Sequence, residues 1–198
     1  MDVRPLRRHE IHRVARALAA AFETDPFTCW LLPDPERRRD RLPRLFTPQL
    51  RLMYLPKGHV YTTDEVAGAA LWSPPGTHRL PIPAQIRLSI PYGRVLGPAT
   101  LARAGRAFTE LDRHHPPERH WYLGILGVHP DAQGRGVGTA LLGPVLELAD
   151  AEGTGCYLDT SNPDNPPWYQ RQGFVIQDEF DLPDDGPHMW TMWREPSR

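Results

Sequence analysis

The sequence predicts one α/β domain over residues 1–198, with a mixed sheet flanked by helices. Three observations lead to this prediction. Strand-like apolar runs, such as Trp121–Val128, alternate with segments of helical period. A glycine-rich turn, Gln133 to Thr139, joins that strand directly to a helix-like segment. Two more strand-like runs close the chain, with a turn at Pro183–Gly186 between them. Strands and helices that alternate in this way favour a mixed sheet in one layered domain.

The N-terminal part of the chain is predicted to be mainly helical. Val3–Leu6 is a short edge segment, and apolar residues between His9 and Phe22 fall on one face of a first helix. Phe27–Leu32 is interpreted as a compact apolar cluster closed by Pro33 and Pro35. A second helix is expected from Glu36 toward Tyr54, and its charged run at residues 36–41 is interpreted as a solvated face.

The middle of the chain begins with a predicted β-hairpin formed by His59–Thr63 and Val66–Trp72. Gly68 and the alanines beside it indicate that another backbone or a helix packs closely on the second strand. Residues 77–118 are rich in Pro, Gly and Arg and show only broken helical patterns, at Ala84–Leu88 and Ala99–Leu111.

The C-terminal half is predicted to supply four strands and two helices. In order they are the strand Trp121–Val128, the helix Thr139–Ala151 with a distortion at Gly143-Pro144, the strand Cys156–Asp159, the helix Asn165–Gln172, and the strands Phe174–Phe180 and His188–Trp193.

Composition excludes several classes of protein. A formal net charge of -1 gives no electrostatic reason to expect a nucleic-acid partner. No apolar run approaches the roughly 20 residues that span a bilayer, and the N-terminus lacks the apolar core of a secretory signal. Cys29 and Cys156 have no metal-like spacing and are expected to be buried free thiols. We therefore expect a protein of the reducing cytoplasm, with no membrane partner and no metal.

The glycine turn predicts a phosphate site. Gly134, Gly136 and Gly138 alternate with other residues between a strand and a helix, so the backbone can bend tightly and approach a ligand. The free N–H groups of the first helical turn, together with the helix dipole, favour negative charge there. Arg135 adds a cation. The turn therefore indicates a phosphorylated cofactor.

A second arrangement follows the predicted strand at Cys156–Asp159. Asn165 stands where a helix N-cap is expected, and Tyr169 lies about one turn later, near the open end of the sheet. A phenol is uncharged at neutral pH, and it could give a proton to a departing thiolate beside a thioester. The alternative is structural: Asn165 only caps the helix, and Tyr169 is a half-buried aromatic of the core.

Together the two arrangements resemble the GNAT family of N-acetyltransferases over about Trp121–Phe174. The family's Gln/Arg-x-x-Gly-x-Gly/Ala turn corresponds here to Gln133–Gly138, and its Tyr-x-x-x-Gly-Phe signature to Tyr169–Phe174. Flanking segments extend the resemblance toward the puromycin N-acetyltransferase group of that family, although residues 77–113 match poorly. The resemblance implies a GNAT-type sheet that is mixed, mostly antiparallel and splayed between its two parallel strands.

The resemblance also implies a binding site for acetyl-CoA as acyl donor. The amides of Leu126 and Val128, with Gly127 between them, would hold the pantetheine arm and the thioester carbonyl. Asn165 would contact coenzyme A, and Tyr169 would be the general acid. The pyrophosphate would be bound by the turn and the start of the following helix, that is by Gln133, Gly134, Arg135, Gly136, Val137, Gly138 and Thr139.

The resemblance does not identify the general base. Many relatives carry a Glu on the strand that corresponds to Trp121–Val128, and this strand has none. Asp159, His129, His120 or a chain of water molecules are the candidates, and His129 is expected in a surface turn. An acceptor amine of low pKa would need no dedicated base.

The expected reaction is direct transfer of acetyl from acetyl-CoA to the primary amine of a small molecule, in a ternary complex. An antibiotic such as puromycin, an aminoglycoside-type amine and a metabolite are the candidate acceptors. Two other functions stay open: acetylation of protein or peptide amines, and non-catalytic sensing of acyl-CoA. The sequence leaves the oligomeric state open.

Overall fold

A computed structural model of the chain describes residues 1–79 and 81–197. Its centre is a seven-stranded sheet in the order β1-β2-β3-β4-β5-β7-β6. All neighbouring strands run antiparallel except β4 and β5, which are parallel. The strands are β1 Val3–Pro5, β2 Val60–Thr63, β3 Gly68–Ser73, β4 His120–Val128, β5 Gly155–Thr160, β6 Val175–Asp181 and β7 His188–Arg194. The predicted mixed, mostly antiparallel sheet is confirmed.

Seven α-helices flank the sheet in the described parts of the chain. They are α1 Ile11–Ala21, α2 Pro26–Leu31, α3 Pro35–Pro48, α4 Ile82–Leu96, α5 Pro98–Arg113, α6 Val137–Glu152 and α7 Asn165–Gln170. A π-helical segment, Gln49–Tyr54, continues α3 directly after Pro48. None of the helices in residues 1–79 and 81–197 combines the length and the apolar character that a membrane span requires.

Alternating residues of the sheet face two separate apolar cores. Leu71 on β3 packs with α1, α3 and the π-helical segment on one side, where Leu18 and Leu50 are fully buried. Its neighbour Trp72 packs on the other side with α6 and α7, where Leu141 is fully buried. Side chains of a strand alternate between faces, so the β3 sequence supplies both cores. The sheet is thereby held rigidly between two helical layers.

The predicted hairpin forms as β2 and β3, and Gly68 has the predicted close neighbour. A Cβ atom at Gly68 would collide with the backbone carbonyl oxygen of Gly127 on β4. The absence of a side chain at Gly68 therefore allows β3 and β4 to pair up to the end of β4.

Three local predictions were wrong or incomplete. The supposed cluster at Phe27–Leu32 is mostly helix α2, which Asp25 caps by accepting a hydrogen bond from the Thr28 N–H at 3.1 Å. The broken pattern at Ala84–Leu88 is part of the longer helix α4, whose apolar residues Ile82, Ile86 and Ile90 lie on the exposed face. Helix α6 continues unbroken through Pro144.

The charged run at residues 36–41 is only partly a solvated face. Arg38 is buried, and its guanidinium donates hydrogen bonds to the carbonyl oxygens of Glu23 at 2.6 Å and Leu32 at 2.7 Å. These carbonyls belong to the connections that flank α2, where helical partners are lacking. One arginine of the run therefore joins α3 to these two connections.

Candidate active site

The site begins where β4 and β5 separate. Their parallel pairing runs from His120 opposite Gly155 to Leu123 opposite Leu158, and β4 continues for five more residues beyond it. Opposite β3 the register shifts at the same place and leaves Gly124 as an extra residue. A bulge bends its strand, so β4 turns away from β5 there. The result is a gap between the two parallel strands at their C-terminal ends.

Gly124 is required at this bend because Tyr54 lies against it. A Cβ atom at Gly124 would collide with the Tyr54 hydroxyl, which reaches β4 from the π-helical segment. Tyr54 is buried, and its burial, followed by the charge of Asp159, raises the pKa of its hydroxyl. The sequence carries no signal for Tyr54, because its placement depends on a π-helical turn that no periodicity predicts.

Two backbone N–H groups of β4 point to the gap side. Gly127 is paired with Ala69 of β3, and the His129 N–H donates to the Ala67 carbonyl at 2.7 Å. Alternate residues of a strand direct their N–H and C=O groups to opposite edges. Leu126 and Val128 therefore direct theirs away from β3, toward the gap.

Gly127, the residue between them, has a different position. Its own N–H faces β3, and a Cβ atom there would lie 2.8 Å from Leu18 and 2.9 Å from Phe22 of α1. Its lack of a side chain lets α1 pack onto β4. Any contact of Gly127 with a cofactor would be made without its N–H group, and that contact stays a prediction.

The predicted glycine turn is exposed and lies at the start of the sixteen-residue helix α6. Gly134 and Gly136 have φ of 73° and 76°, a left-handed conformation that side chains other than glycine's adopt with strain. Gly136 precedes the first residue of α6, Val137, whose side chain is buried in the core. The first N–H groups of this helix have no partners within it, and free N–H groups at a helix start can bind an anion.

The remaining residues of the turn surround that helix start. The Gln133 side chain donates to the Val128 carbonyl at 3.1 Å and so ties the turn to the end of β4. Arg135 and Thr139 are exposed. A Cβ atom at Gly138 would lie 3.1 Å from Trp168, so this glycine lets α7 approach the start of α6. The turn is thus held next to both β4 and α7.

Asp159 and Tyr122 form the polar side of the gap. The Tyr122 hydroxyl donates to Oδ2 of Asp159 at 2.8 Å, across the two parallel strands. Burial raises the pKa of the Asp159 carboxyl to about 6, although the hydrogen bond from Tyr122 opposes that rise. A carboxyl with a pKa near 6 is mostly ionised at neutral pH and can accept a proton.

Tyr169 on α7 is buried beside the same carboxylate. Its ring packs at an angle on Trp168 and on Phe174, with ring centroids 4.9 Å and 5.7 Å away. Burial and then the charge of Asp159 raise the pKa of its hydroxyl, so Tyr169 is a neutral proton donor at neutral pH. Asp159 and Tyr169 therefore offer one proton acceptor and one proton donor at the same gap.

Asn165 is not the N-cap that the sequence predicts. Asp164 occupies the N-cap position of α7, and Asn165 is the first residue of the helix. Its side-chain Nδ2 donates to Oγ1 of Thr160 at 2.7 Å. Asn165 thereby joins the start of α7 to the end of β5 and helps to place Tyr169. Its predicted contact with coenzyme A stays a prediction.

The two histidine candidates for the base lie away from Asp159. His129 follows β4 in a turn, where its Nδ1 accepts from the Asp131 N–H at 3.3 Å, as its expected surface position implies. His120 is the first residue of β4, at the opposite end from the gap. It lies instead in a histidine cluster with His78 and His115, which the sequence did not predict because the three come from two distant segments.

Comparisons with known proteins bear on the family and on the fold. The profile of the acetyltransferase (GNAT) family matches residues 16–174. The chain is 25% identical over 202 residues to an uncharacterised N-acetyltransferase of Schizosaccharomyces pombe, and the alignment covers 93% of this chain and 79% of that protein.

Solved structures share the fold over almost the whole chain. A Corynebacterium glutamicum protein described as histone acetyltransferase HPA2 and related acetyltransferase superposes with a TM-score of 0.72 and 26% identity, covering 99% of this chain and 96% of that one. Arylalkylamine N-acetyltransferase 2 of Aedes aegypti superposes with a TM-score of 0.60 and 13% identity, covering 99% of each chain, and so supports the fold alone.

Proposed function

Because the chain belongs to the acetyltransferase (GNAT) family, we propose that it transfers acetyl from acetyl-CoA directly to the primary amine of a small molecule. The observation that carries this proposal is the gap between β4 and β5. It has outward-facing amides of β4 on one side and Asp159 with Tyr169 on the other. A neutral donor, an acceptor and free amides at one opening are what acyl transfer to an amine requires.

The donor supplies the acetyl group as a thioester, and the glycine turn fits its pyrophosphate. Left-handed Gly134 and Gly136 leave the backbone N–H groups at the start of α6 open to an anion, and the exposed Arg135 adds a positive charge. Gln133, Val137, Gly138 and Thr139 complete the proposed contact surface. Asn165 is proposed to contact coenzyme A from the start of α7.

The chain's own groups account for the charges and protons of the reaction. The N–H of Val128 or Leu126 stabilises the negative charge that develops on the carbonyl oxygen. Asp159 accepts the proton that the attacking nitrogen loses as the C–N bond forms. Tyr169 donates its hydroxyl proton to the sulfur as the C–S bond breaks. Of the candidates for the base, Asp159 is favoured because it alone lies at the gap with a pKa that suits the task.

The test is release of free thiol from acetyl-CoA in the presence of a panel of acceptors. The panel contains puromycin, an aminoglycoside and simple metabolite amines, with tag-free protein and a no-acceptor control. We expect turnover with at least one small amine, and a mass increase of one acetyl group on that amine. Binding of acetyl-CoA without thiol release for any acceptor would instead support the sensor function.

Protein acetylation is the second candidate. Its support is the description of the Corynebacterium glutamicum protein as a histone acetyltransferase, at 26% identity over 99% of this chain. A lysine-rich peptide and a peptide with a free N-terminus therefore belong in the same panel. A kcat/KM for a peptide that exceeds the value for every small amine would favour this candidate over the first.

A further inference from the structure

Three histidines meet at the end of β4 that lies opposite the gap. His120 begins β4, His115 lies in the connection from α5 to β4, and His78 lies in the connection from β3 to α4. One ring nitrogen of each lies within 4.8 Å of those of the other two. No residue of the proposed acetyl-transfer mechanism belongs to this cluster.

The ring nitrogens have nearly the spacing that a metal ion requires. Nε2 of His115 and Nε2 of His120 are 2.9 Å apart. Zinc bound at its usual Zn–N distance with tetrahedral angles places its ligand nitrogens about 3.4 Å from each other. The widest separation in the cluster exceeds that value by at most about 1.4 Å. His78 stacks on His115 with ring centroids 4.0 Å apart, so its ring must rotate to direct a nitrogen at a shared ion.

His120 is oriented as a ligand. Its Nδ1 lies 2.6 Å from the Glu118 carbonyl oxygen, which can only accept, so the proton is on Nδ1 and Nε2 carries a lone pair directed at the cluster. A backbone carbonyl that holds the other ring nitrogen is the usual outer partner of a metal-binding histidine. The lone pair of His120 therefore needs either a proton from His115 or a cation.

The surroundings keep the three imidazoles neutral, which is the form that binds metals. Burial lowers the pKa of His78 and His120, and it lowers the pKa of His115 to about 3. The rings of Tyr122 and Tyr157 pack edge-on against His115, with centroids 5.1 Å and 4.8 Å away. His120 is buried, whereas His78 and His115 keep some exposed surface and so leave a path for an ion.

Four charged groups lie around the cluster: Glu118 acts on His120, and Asp112, Arg79 and Lys57 act on His78. Asp112 forms two hydrogen bonds with Arg79, at 3.1 Å and 2.8 Å, so these opposite charges largely compensate each other. The Lys57 amine donates to Ser73 at 2.7 Å, and burial lowers its pKa to about 8. The Asp112 carboxylate raises the pKa of both His78 and His115, and the Arg79 charge opposes it at both.

We propose that His78, His115 and His120 form a binding site for a divalent transition-metal ion of the zinc type, with solvent in the fourth position. The site joins the two connections that flank α4 and α5 to the first residue of β4. A bound ion would therefore fix both ends of this helical pair on the sheet. The assignment does not depend on the acetyl-transfer proposal.

The experiment measures metal binding by tag-free protein directly. Equilibrium dialysis against Zn²⁺ gives the stoichiometry, and the visible absorption of added Co²⁺ reports histidine coordination in a four- or five-coordinate site. We expect one ion per chain in the wild type. His78→Gln and His115→Gln should each lower Zn²⁺ affinity by at least about tenfold. Even loss of a residue that only hydrogen-bonds to a metal ligand lowers metal affinity by about that factor. His12→Gln, on the exposed face of α1, is the matched control and should bind like the wild type.

Circular dichroism and the urea midpoint of each variant show whether it folds, and His78 lies in the connection from β3 to α4, outside the helices and strands. Absence of stoichiometric Zn²⁺ in the wild type would overturn the site and leave a cluster held by hydrogen bonds alone. Equal affinity in wild-type protein and folded His78→Gln and His115→Gln variants would overturn it as well. Acetyl transfer is scored separately, so failure of one proposal leaves the other intact.

Discussion

Replacing Asp159 with asparagine should make the protein more stable at neutral pH while it removes the proposed base. Asparagine has the same shape and keeps an oxygen that can accept the hydrogen bond from Tyr122. It has no charge to bury. A gain in stability combined with a loss of activity is typical of a charge that a protein retains for function.

The magnitude follows from the pKa. Burial raises the pKa of Asp159 from 3.8 to about 6, and each pKa unit corresponds to about 1.4 kcal/mol. Because the folded pKa is raised, the contribution of this carboxyl to stability is fully present below pH 3.8 and is lost as pH rises through about 6. The full loss is about 3 kcal/mol, an upper limit because Asp159 is only half-buried.

The assay is urea unfolding of wild-type protein and Asp159→Asn at several pH values between about 4 and 8. The difference in unfolding free energy should be small near pH 4 and grow in favour of the variant up to about pH 7. Asp2→Asn changes an exposed carboxyl at the N-terminus and is the matched control. Its difference should stay within about 0.5 kcal/mol throughout.

Two results would refute this reasoning. One is an Asp159→Asn variant that is less stable than the wild type at pH 7, since the carboxylate would then be stabilised by its surroundings. The other is a stability difference that does not change with pH.

The same substitution tests the role of Asp159 as base. Thiol release by Asp159→Asn should be about 100-fold or more below that of the wild type, the usual contribution of a general base. Wild-type kcat/KM should rise with pH through about 6.

Three other substitutions test separate parts of the structure. Tyr169→Phe should lower kcat, measured by thiol release, by about 100-fold, while the acetyl-CoA affinity measured by calorimetry should change little. An unchanged kcat would remove Tyr169 from the role of acid. Tyr61→Phe on β2 is the control variant. Gly136→Ala forces alanine into a left-handed conformation with φ of 76°. The free energy of unfolding in urea should therefore fall by about 1–2 kcal/mol, and calorimetry should show a weaker acetyl-CoA affinity. Unchanged values would mean that the turn relaxes freely. Gly68→Ala places a methyl group against the Gly127 carbonyl, so the free energy of unfolding measured in urea should fall by about 1–3 kcal/mol. An unchanged free energy of unfolding would contradict the close approach of β3 and β4.

Features set by residues close together in the chain were predictable from the sequence. The strand alternation at β2, β3 and β4 and the glycines of the turn before α6 are local signals, and the corresponding elements form within a few residues of the predicted bounds. Helix α7 was also predicted, but its N-cap is Asp164 rather than Asn165, a shift of one residue that composition does not resolve.

Features that depend on contacts between distant residues were not predictable. Arg38 is buried because the carbonyl oxygens of Glu23 and Leu32, on either side of α2, accept its hydrogen bonds. Tyr54 reaches Gly124 only through a π-helical segment. The histidine cluster combines a residue before α4 with two residues near β4, a separation of about forty positions that no spacing rule covers. Periodicity describes an element's own faces and contains no information on which distant side chains meet.

A crystal structure of the complex with acetyl-CoA tests the central claim most directly. We expect the pyrophosphate against the N–H groups at the start of α6. The thioester oxygen should lie about 2.7–3.1 Å from the nitrogen of Leu126 or Val128. The sulfur should lie beside the Tyr169 hydroxyl, with Asp159 facing the carbonyl carbon from the acceptor side. A donor bound outside the gap between β4 and β5, or a thioester remote from both Tyr169 and Asp159, would contradict the mechanism.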